Sequence, residues 1–142
     1  MSAETFFDTN ILVYMIDTAD AAKQNAAGAL VRSSMASEAG CISWQVVQEF
    51  LNVATHKLKP GLSASLTQEY FDEFLVPLCT VWPSAPIFLR ALDIKSKHKL
   101  HFYDSLIVSG ALEAGCKTLY SEDLQAGRKF GDLKIVNPFA RV

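Results

Sequence analysis

The fold class of this chain follows from one stretch of its sequence, Thr5-Phe6-Phe7-Asp8-Thr9-Asn10-Ile11-Leu12-Val13-Tyr14. The β-branched and aromatic run Thr5-Phe6-Phe7 predicts a short buried strand, and the apolar residues from Ile11 to Ile16 predict a short helix after it. Asp8 is therefore expected at the carboxyl end of the strand. A strand that leads at once into a helix is the unit from which parallel α/β sheets are built.

The same alternation of strands and helices continues along the chain. Further strands are predicted at Cys41-Ile42, Cys79 to Trp82, Lys117 to Tyr120 and Ile135-Val136. Helices are predicted from Thr18 or Asp20 to about Glu38, from Ser43 to Pro60, from Ser63 to Phe74, from Pro83 to about Lys99 and from Tyr103 to Ala114. The pattern predicts an α/β fold with three layers, α/β/α, around a mostly parallel central sheet.

Length and charge limit the organisation of the protein. With 142 residues, half of them hydrophobic, the chain is long enough for one sizeable core, and we expect a single domain over residues 1–142. Thirteen basic and fifteen acidic side chains give a net charge of -2, so the overall charge is not that of a nucleic-acid binder. Any phosphate-binding surface must therefore be local.

The sequence also predicts a cytoplasmic protein without a membrane partner. The longest apolar runs, such as Ile11 to Ile16, are far shorter than the roughly 20 residues of a membrane-spanning helix, and Glu4 and Asp8 interrupt any secretory-signal pattern. The three cysteines are widely spaced and form no Cys-x-x-Cys pair, so we interpret them as reduced structural thiols.

Two acidic residues directly follow predicted strands. Asp8 comes after the first strand, and Asp123 comes shortly after the strand that ends at Tyr120. Because ligands of open parallel sheets collect beyond the carboxyl ends of the strands, both carboxylates are expected at one rim of the sheet.

Two further acids lie on helices at positions where a solvating side chain is not expected. Glu49 borders the apolar stripe to which Val46 and Val53 belong. Asp104 begins a helix with hardly any polar face, and Ile107 lies one turn further on the same side. Both carboxylates are therefore expected to face inward.

Several carboxylates brought together are costly unless a cation or hydrogen-bond donors compensate their charge. All the candidate ligands are oxygen donors, which favours Mg²⁺ or Mn²⁺ over Zn²⁺. Such ions activate water for attack on phosphorus and stabilise the leaving oxygen. The sequence thus predicts phosphodiester hydrolysis, with four candidate residues that serve as both metal ligands and catalytic groups: Asp8, Glu49, Asp104 and Asp123.

Each of these acids also has a structural alternative. Asp8 and Asp104 are possible helix caps, and Asp123 is a possible turn residue. Glu49 is a possible surface residue paired with Lys57 or Lys59.

A basic run precedes Asp104 and is a candidate RNA-binding segment: Lys95, Lys97, His98 and Lys99. These cations would guide a polyanionic backbone towards the acids. A solvated helix end explains them equally well, because cations are favourable near a helix C-terminus.

Four motifs together resemble a known family: Asp8-Thr9-Asn10-Ile11-Leu12-Val13-Tyr14, Gln48-Glu49-Phe50, Tyr103-Asp104-Ser105-Leu106-Ile107 and Leu119-Tyr120-Ser121-Glu122-Asp123. In this order they are similar to the motifs of PIN-domain nucleases, specifically the VapC-type toxins of bacterial toxin-antitoxin pairs. The resemblance covers essentially the whole chain.

The resemblance implies an endoribonuclease that depends on Mg²⁺ or Mn²⁺, with metal ligation through the acids of the four motifs. It also implies a cognate antitoxin as partner, which blocks the acidic groove, and a homodimer. Many family members carry another acid where this chain has Gln125, and Glu122 is the nearest substitute. Thr9, Asn10 and Ser121 are candidates for orienting the ligands, although turn and capping roles explain them too.

Three functional hypotheses follow. The first is a toxin ribonuclease, and the second is a PIN nuclease of RNA processing without an antitoxin. The third is a catalytically silent module that binds a partner peptide in its acidic groove. A phosphoacceptor receiver domain is disfavoured because it needs two adjacent acids after the first strand, where Asp8-Thr9-Asn10 offers one.

Overall fold

A six-stranded sheet organises the computed structural model, which describes residues 3–139. Its strands are β1 (Thr5–Phe7), β2 (Gly40–Ser43), β3 (Cys79–Val81), β4 (Thr118–Tyr120), β5 (Lys129–Phe130) and β6 (Leu133–Val136). Their order across the sheet is β3-β2-β1-β4-β6-β5. Every neighbouring pair is parallel except β5 and β6, which are antiparallel. The prediction of a mostly parallel sheet is confirmed.

Seven α-helices connect the strands within the described residues: α1 (Thr9–Ile16), α2 (Ala21–Ala36), α3 (Trp44–Asn52), α4 (Ala64–Tyr70), α5 (Val76–Leu78), α6 (Ala85–His98) and α7 (Phe102–Glu113). Two wider π-helical turns, Val53–Lys57 and Phe71–Leu75, extend α3 and α4. Side chains cap three helices in the manner expected at helix N-termini: those of Asp20, Ser63 and Ser84 accept hydrogen bonds from backbone N–H groups three residues on.

The central strand β1 is covered on both faces. Successive side chains of a strand point to opposite faces, yet Phe6 and Phe7 are both 0% exposed. A Cβ added at Gly110 of α7 would stand 3.8 Å from the Phe6 ring. A Cβ at Gly40 would stand 2.9 Å from the Phe7 ring and 2.5 Å from the hydroxyl of Ser34 on α2. The sheet therefore lies between α7 and α2, as a three-layer α/β/α fold requires.

The structure differs from the sequence prediction mainly at the last strands. The strand predicted at Ile135-Val136 begins at Leu133, and it pairs with the unpredicted β5 across a turn in which Gly131 has a φ of 61°. Strand β5 has only two residues, too few for a period-two pattern to be visible. Gly115 follows α7 with a φ of 75°, the left-handed conformation that a glycine commonly adopts after a helix C-terminus.

The cysteines are free thiols, and Cys41 and Cys116 are buried with their sulfur atoms 3.5 Å apart. Cys79 is partly buried. No helix in the described range 3–139 is long and apolar enough to cross a membrane.

Candidate functional site

Asp8 stands where β1 ends and α1 begins, and only 7% of its surface is exposed. It is the N-cap of α1, and its Oδ1 accepts a 2.7 Å hydrogen bond from the backbone N–H of Thr9. Its own N–H donates to the Tyr120 carbonyl at 2.9 Å, which joins it to the end of β4. The capping role and the predicted position at the sheet rim are therefore both present.

Ser121 holds the second oxygen of the Asp8 carboxylate. Its hydroxyl is 0% exposed, donates to Asp8 Oδ2 at 2.7 Å and accepts from the Leu124 N–H at 3.1 Å. This hydrogen bond fixes the direction of the carboxylate, and a role of Ser121 in orienting a metal ligand stays a prediction.

Burial raises the pKa of Asp8 from 3.8 to about 6. Hydrogen bonds from Ser121 and Thr9 act in the opposite direction, since they favour the charged form. The negative charges of Glu49 and Asp123 raise the pKa further. The ionised Asp8 is therefore costly in the metal-free chain, and a nearby cation would relieve that cost.

Asn10 lies between two of the predicted acids. Its Nδ2 is 3.1 Å from Asp123 Oδ2 and 3.4 Å from Asp8 Oδ2, while its Oδ1 accepts from the Glu122 N–H at 3.2 Å. The amide links the first turn of α1 to the loop after β4, and it donates hydrogen bonds to two carboxylates that would otherwise repel each other. Asp8 and Asp123 meet at one rim, as the sequence predicted.

Glu49 reaches the same region from α3. Its Oε1 accepts a 2.7 Å hydrogen bond from the hydroxyl of Thr9, 40 residues earlier in the chain. Among residues 3–139, lysines form ion pairs with Asp93 and Glu122 and not with Glu49. The alternative that Glu49 pairs with Lys57 or Lys59 is therefore not seen in the described residues.

Asp104 lies in the first turn of α7 and is half-buried. The N-cap position of this helix belongs to His101, which makes no side-chain cap hydrogen bond. A capping role for Asp104 is accordingly not seen in the described part of the chain.

One pocket brings the four predicted acids together. Its lining contains six carboxylates and one basic side chain: Asp8, Asp17, Glu49, Asp104, Glu122, Asp123 and Lys57. The donor set consists of oxygen atoms, the type that hard divalent cations select. No group of three or more His, Cys, Asp and Glu side chains in residues 3–139 is close enough to hold one ion in this arrangement.

Glu122 is engaged differently from the other acids. Its carboxylate accepts hydrogen bonds of 2.5 Å from the Tyr14 hydroxyl and from Lys23 Nζ. Partial burial acts to raise the pKa of Glu122, but these two partners lower it overall. Glu122 is the nearest substitute for a fifth acid, and Lys23 already compensates its charge.

The predicted RNA-binding segment lies at the end of α6, and none of its four residues is among those lining the pocket. Lys97 pairs with Asp93 at 3.1 Å. The His98 ring packs edge-on against Phe130, and Lys99 is the left-handed C-cap with a φ of 55°. This placement agrees with the helix-end alternative, and an RNA contact of Lys95 and its neighbours stays a prediction.

Sequence reasoning missed Gln45. Its side chain is 3% exposed, lines the pocket, and donates from Nε2 to the Tyr103 carbonyl at 3.0 Å. Its Oε1 is buried without a hydrogen-bond partner among residues 3–139, which is unusual for a buried polar atom. One signal was available, because Gln45 precedes Glu49 by four residues and shares its helix face.

A family comparison identifies this architecture. The model of the PIN domain matches residues 5–129. The chain belongs to the PIN domain family. No curated protein sequence gives a significant match to this PIN domain.

Solved structures share the fold across nearly the whole chain. A toxin-antitoxin complex from Klebsiella pneumoniae has 17% identity and a TM-score of 0.68, covering 96% of this chain and 98% of the other. FitAcB from Neisseria gonorrhoeae has 17% identity and a TM-score of 0.69, with coverages of 95% and 98%. VapC20 of Mycobacterium tuberculosis, described as a sarcin-ricin loop cleaving toxin, has 17% identity and a TM-score of 0.62, with coverages of 84% and 90%.

Proposed function

We propose that this PIN domain is a divalent-metal-dependent endoribonuclease that hydrolyses RNA phosphodiester bonds as the toxin of a toxin-antitoxin pair. The observation that carries the proposal is the convergence of four acids from separate elements on one pocket, around the buried Asp8. We place its action in the cytoplasm, as the sequence led us to expect.

In this proposal Asp8, Glu49, Asp104 and Asp123 hold Mg²⁺ or Mn²⁺. The oxygen-only donor set supports this choice, and so does the raised pKa of Asp8, whose ionised form a cation stabilises. When bound, the ion supplies positive charge at the phosphate and an activated water.

Other residues of the chain keep these carboxylates in place. Ser121 and the Thr9 N–H fix the two oxygens of Asp8. The Thr9 hydroxyl orients Glu49, and Asn10 holds Asp123 beside Asp8. Such supporting hydrogen bonds tune ligand affinity in metal sites, so we assign Thr9, Asn10 and Ser121 to positioning.

The toxin assignment is supported by the structural neighbours described as a toxin-antitoxin complex and as a sarcin-ricin loop cleaving toxin. We infer an antitoxin that covers the acidic pocket and a homodimer of the chain. A small reading frame next to this one, encoding a DNA-binding protein, would support the toxin. Its absence would favour the alternative of an RNA-processing nuclease.

Cleavage of total RNA with mapped ends tests the proposal. The wild-type chain should cut with Mn²⁺ and not with EDTA, and Asp104→Asn should be inactive. Asp93→Asn is the matched control, because Asp93 is an acid on α6 that pairs with Lys97 and does not line the pocket. Equal cleavage by Asp104→Asn and wild type would contradict the proposal.

One observation favours a second candidate function, a catalytically silent binding module. No group of three or more potential ligands in residues 3–139 is already arranged to hold one ion, and a pocket that binds a partner peptide does not require such an arrangement. This alternative predicts neither binding of Mn²⁺ nor cleavage of any RNA.

A further inference from the structure

The side chain of Tyr103 is exposed at the rim of the acidic pocket. It lines the pocket, it directly precedes Asp104, and 67% of its surface is open to solvent. Its ring meets Phe102 edge-on, with centroids 5.5 Å apart and an angle of 72° between the planes. Core packing therefore does not account for this ring, since most of its surface remains uncovered.

The backbone that carries Tyr103 is held firmly. The Gln45 side chain donates to its carbonyl at 3.0 Å, and Ser105 donates to the His101 carbonyl from both its N–H, at 2.9 Å, and its hydroxyl, at 3.0 Å. Gln45 is almost fully buried and lies on α3, one turn before Glu49. The ring is thus attached to a fixed point beside the acids.

The hydrogen bond to Tyr103 also fixes the orientation of the Gln45 amide. Reversing the amide would place its oxygen against the carbonyl oxygen, so Nε2 must face Tyr103. Oε1 is then buried on the other side of the amide, with no donor among residues 3–139.

Single-stranded RNA matches this combination of groups. An unpaired base has a free π-face for an aromatic ring, whereas both faces of a base inside a duplex are covered by its neighbours. Lys57 lines the same pocket, where its positive charge suits a phosphate of the RNA backbone. A duplex would present only its backbone.

We propose that Tyr103 stacks on an unpaired base of the substrate RNA beside the cleaved phosphodiester. Gln45 is the positioning residue of Tyr103, because it holds the Tyr103 carbonyl. The proposal rests on the ribonuclease function above and adds to it the residue that holds a base of the substrate at the site.

Fluorescence anisotropy with a short single-stranded RNA carrying 2-aminopurine tests the proposal, with EDTA present to prevent cleavage. Tyr103→Leu should weaken binding about tenfold and abolish the quenching of 2-aminopurine that stacking produces. Tyr103→Phe should behave as wild type. Trp82→Leu is the matched control, because Trp82 is 63% exposed and does not line the pocket.

A double-mutant cycle tests the positioning role. Gln45→Met should weaken RNA binding in the wild-type background and have little further effect in Tyr103→Leu, because both changes remove the same contact. Additive effects would overturn the role of Gln45. Circular dichroism establishes that each variant is folded.

The proposal is overturned if Tyr103→Leu binds the single strand as tightly as wild type, or if Trp82→Leu weakens binding equally. Unchanged RNA affinity with weaker binding of the small protein encoded by an adjacent reading frame would assign Tyr103 to a protein interface, and it too would overturn the proposal. Failure of the ribonuclease proposal would be distinguishable from failure of the stacking proposal, because the wild-type chain would then cleave no RNA with Mn²⁺.

Discussion

The hydroxyl of Ser121 donates to Asp8 Oδ2 at 2.7 Å and so connects the ends of the neighbouring parallel strands β1 and β4. The two residues are 113 positions apart in the chain. This bond holds the most buried acid of the pocket in one orientation, and it partly offsets the cost of its charge.

Removing the Ser121 hydroxyl should destabilise the metal-free protein mainly when Asp8 is ionised. We expect Ser121→Ala to cost about 1 to 3 kcal/mol at pH 8, because a buried carboxylate loses a donor, and less at pH 4.5. Denaturant unfolding with EDTA at both pH values measures the difference.

The matched control is Ser109→Ala. Ser109 is equally buried, but its hydroxyl donates to the neutral Ile87 carbonyl at 2.7 Å. The cost of this substitution should not change with pH. A pH-independent cost for Ser121→Ala as well would refute the proposed link to the charge of Asp8.

The raised pKa of Asp8 predicts how stability depends on pH. The folded chain binds this proton more tightly than the unfolded chain, so the stabilisation is fully present below about pH 4 and is lost as pH rises through 6. The shift from 3.8 to about 6 corresponds to a loss of up to about 3 kcal/mol.

Asp8→Asn should abolish this dependence. With EDTA present, the variant should gain stability relative to wild type as the pH is raised from 4.5 to 7.5, as measured by the free energy of unfolding. Parallel pH curves for the two proteins would mean that Asp8 ionises as readily in the fold as in the unfolded chain.

Asn10 provides a test of the repulsion between the acids. Asn10→Asp replaces a donor, 3.1 Å from Asp123 and 3.4 Å from Asp8, by a third carboxylate. The metal-free variant should melt at a lower temperature than wild type. Added Mn²⁺ should raise the Tm of the variant by more than it raises the Tm of wild type. Asn137→Asp is the control, since Asn137 uses its side-chain oxygen as an acceptor from the Phe139 N–H and lies outside the pocket.

Thr9 offers a test of ligand positioning. Thr9→Val keeps the shape of the side chain and removes the 2.7 Å hydrogen bond to Glu49. We expect RNA cleavage with Mn²⁺ to fall by about tenfold or more in kcat/KM, as supporting-residue mutations do in metal sites. Thr9→Ser retains the hydroxyl and should remain close to wild type, and a similar loss in both variants would argue against the role of this bond.

The positions of the four acids in the pocket could be predicted because local patterns determine them. Asp8 follows a strand that the aromatic run predicts, and helical phase places Glu49 beside a buried stripe. The contact between Gln45 and Tyr103 joins α3 to α7, and the two residues are 58 positions apart in the sequence. No local periodicity predicts a contact between residues so far apart in the sequence, so this part of the pocket appeared only in the structure.

The position of the basic segment relative to the pocket could not be predicted from the sequence, and its contact with RNA stays a prediction. Lys95 and Lys99 are close to Asp104 in sequence, but nearness along the chain does not give the direction of a side chain. The left-handed turn at Lys99 separates α6 from α7, and the lysine that lines the pocket is Lys57, at the end of the extended α3. Its position depends on how the helices pack.

Calorimetric titration with Mn²⁺ at pH 7.5 tests most directly whether these acids form a metal site. Wild type and Asp93→Asn should bind the ion alike, and Asp8→Asn should lose most of that affinity. Absence of binding by the wild-type chain, or equal binding by Asp8→Asn, would contradict the account.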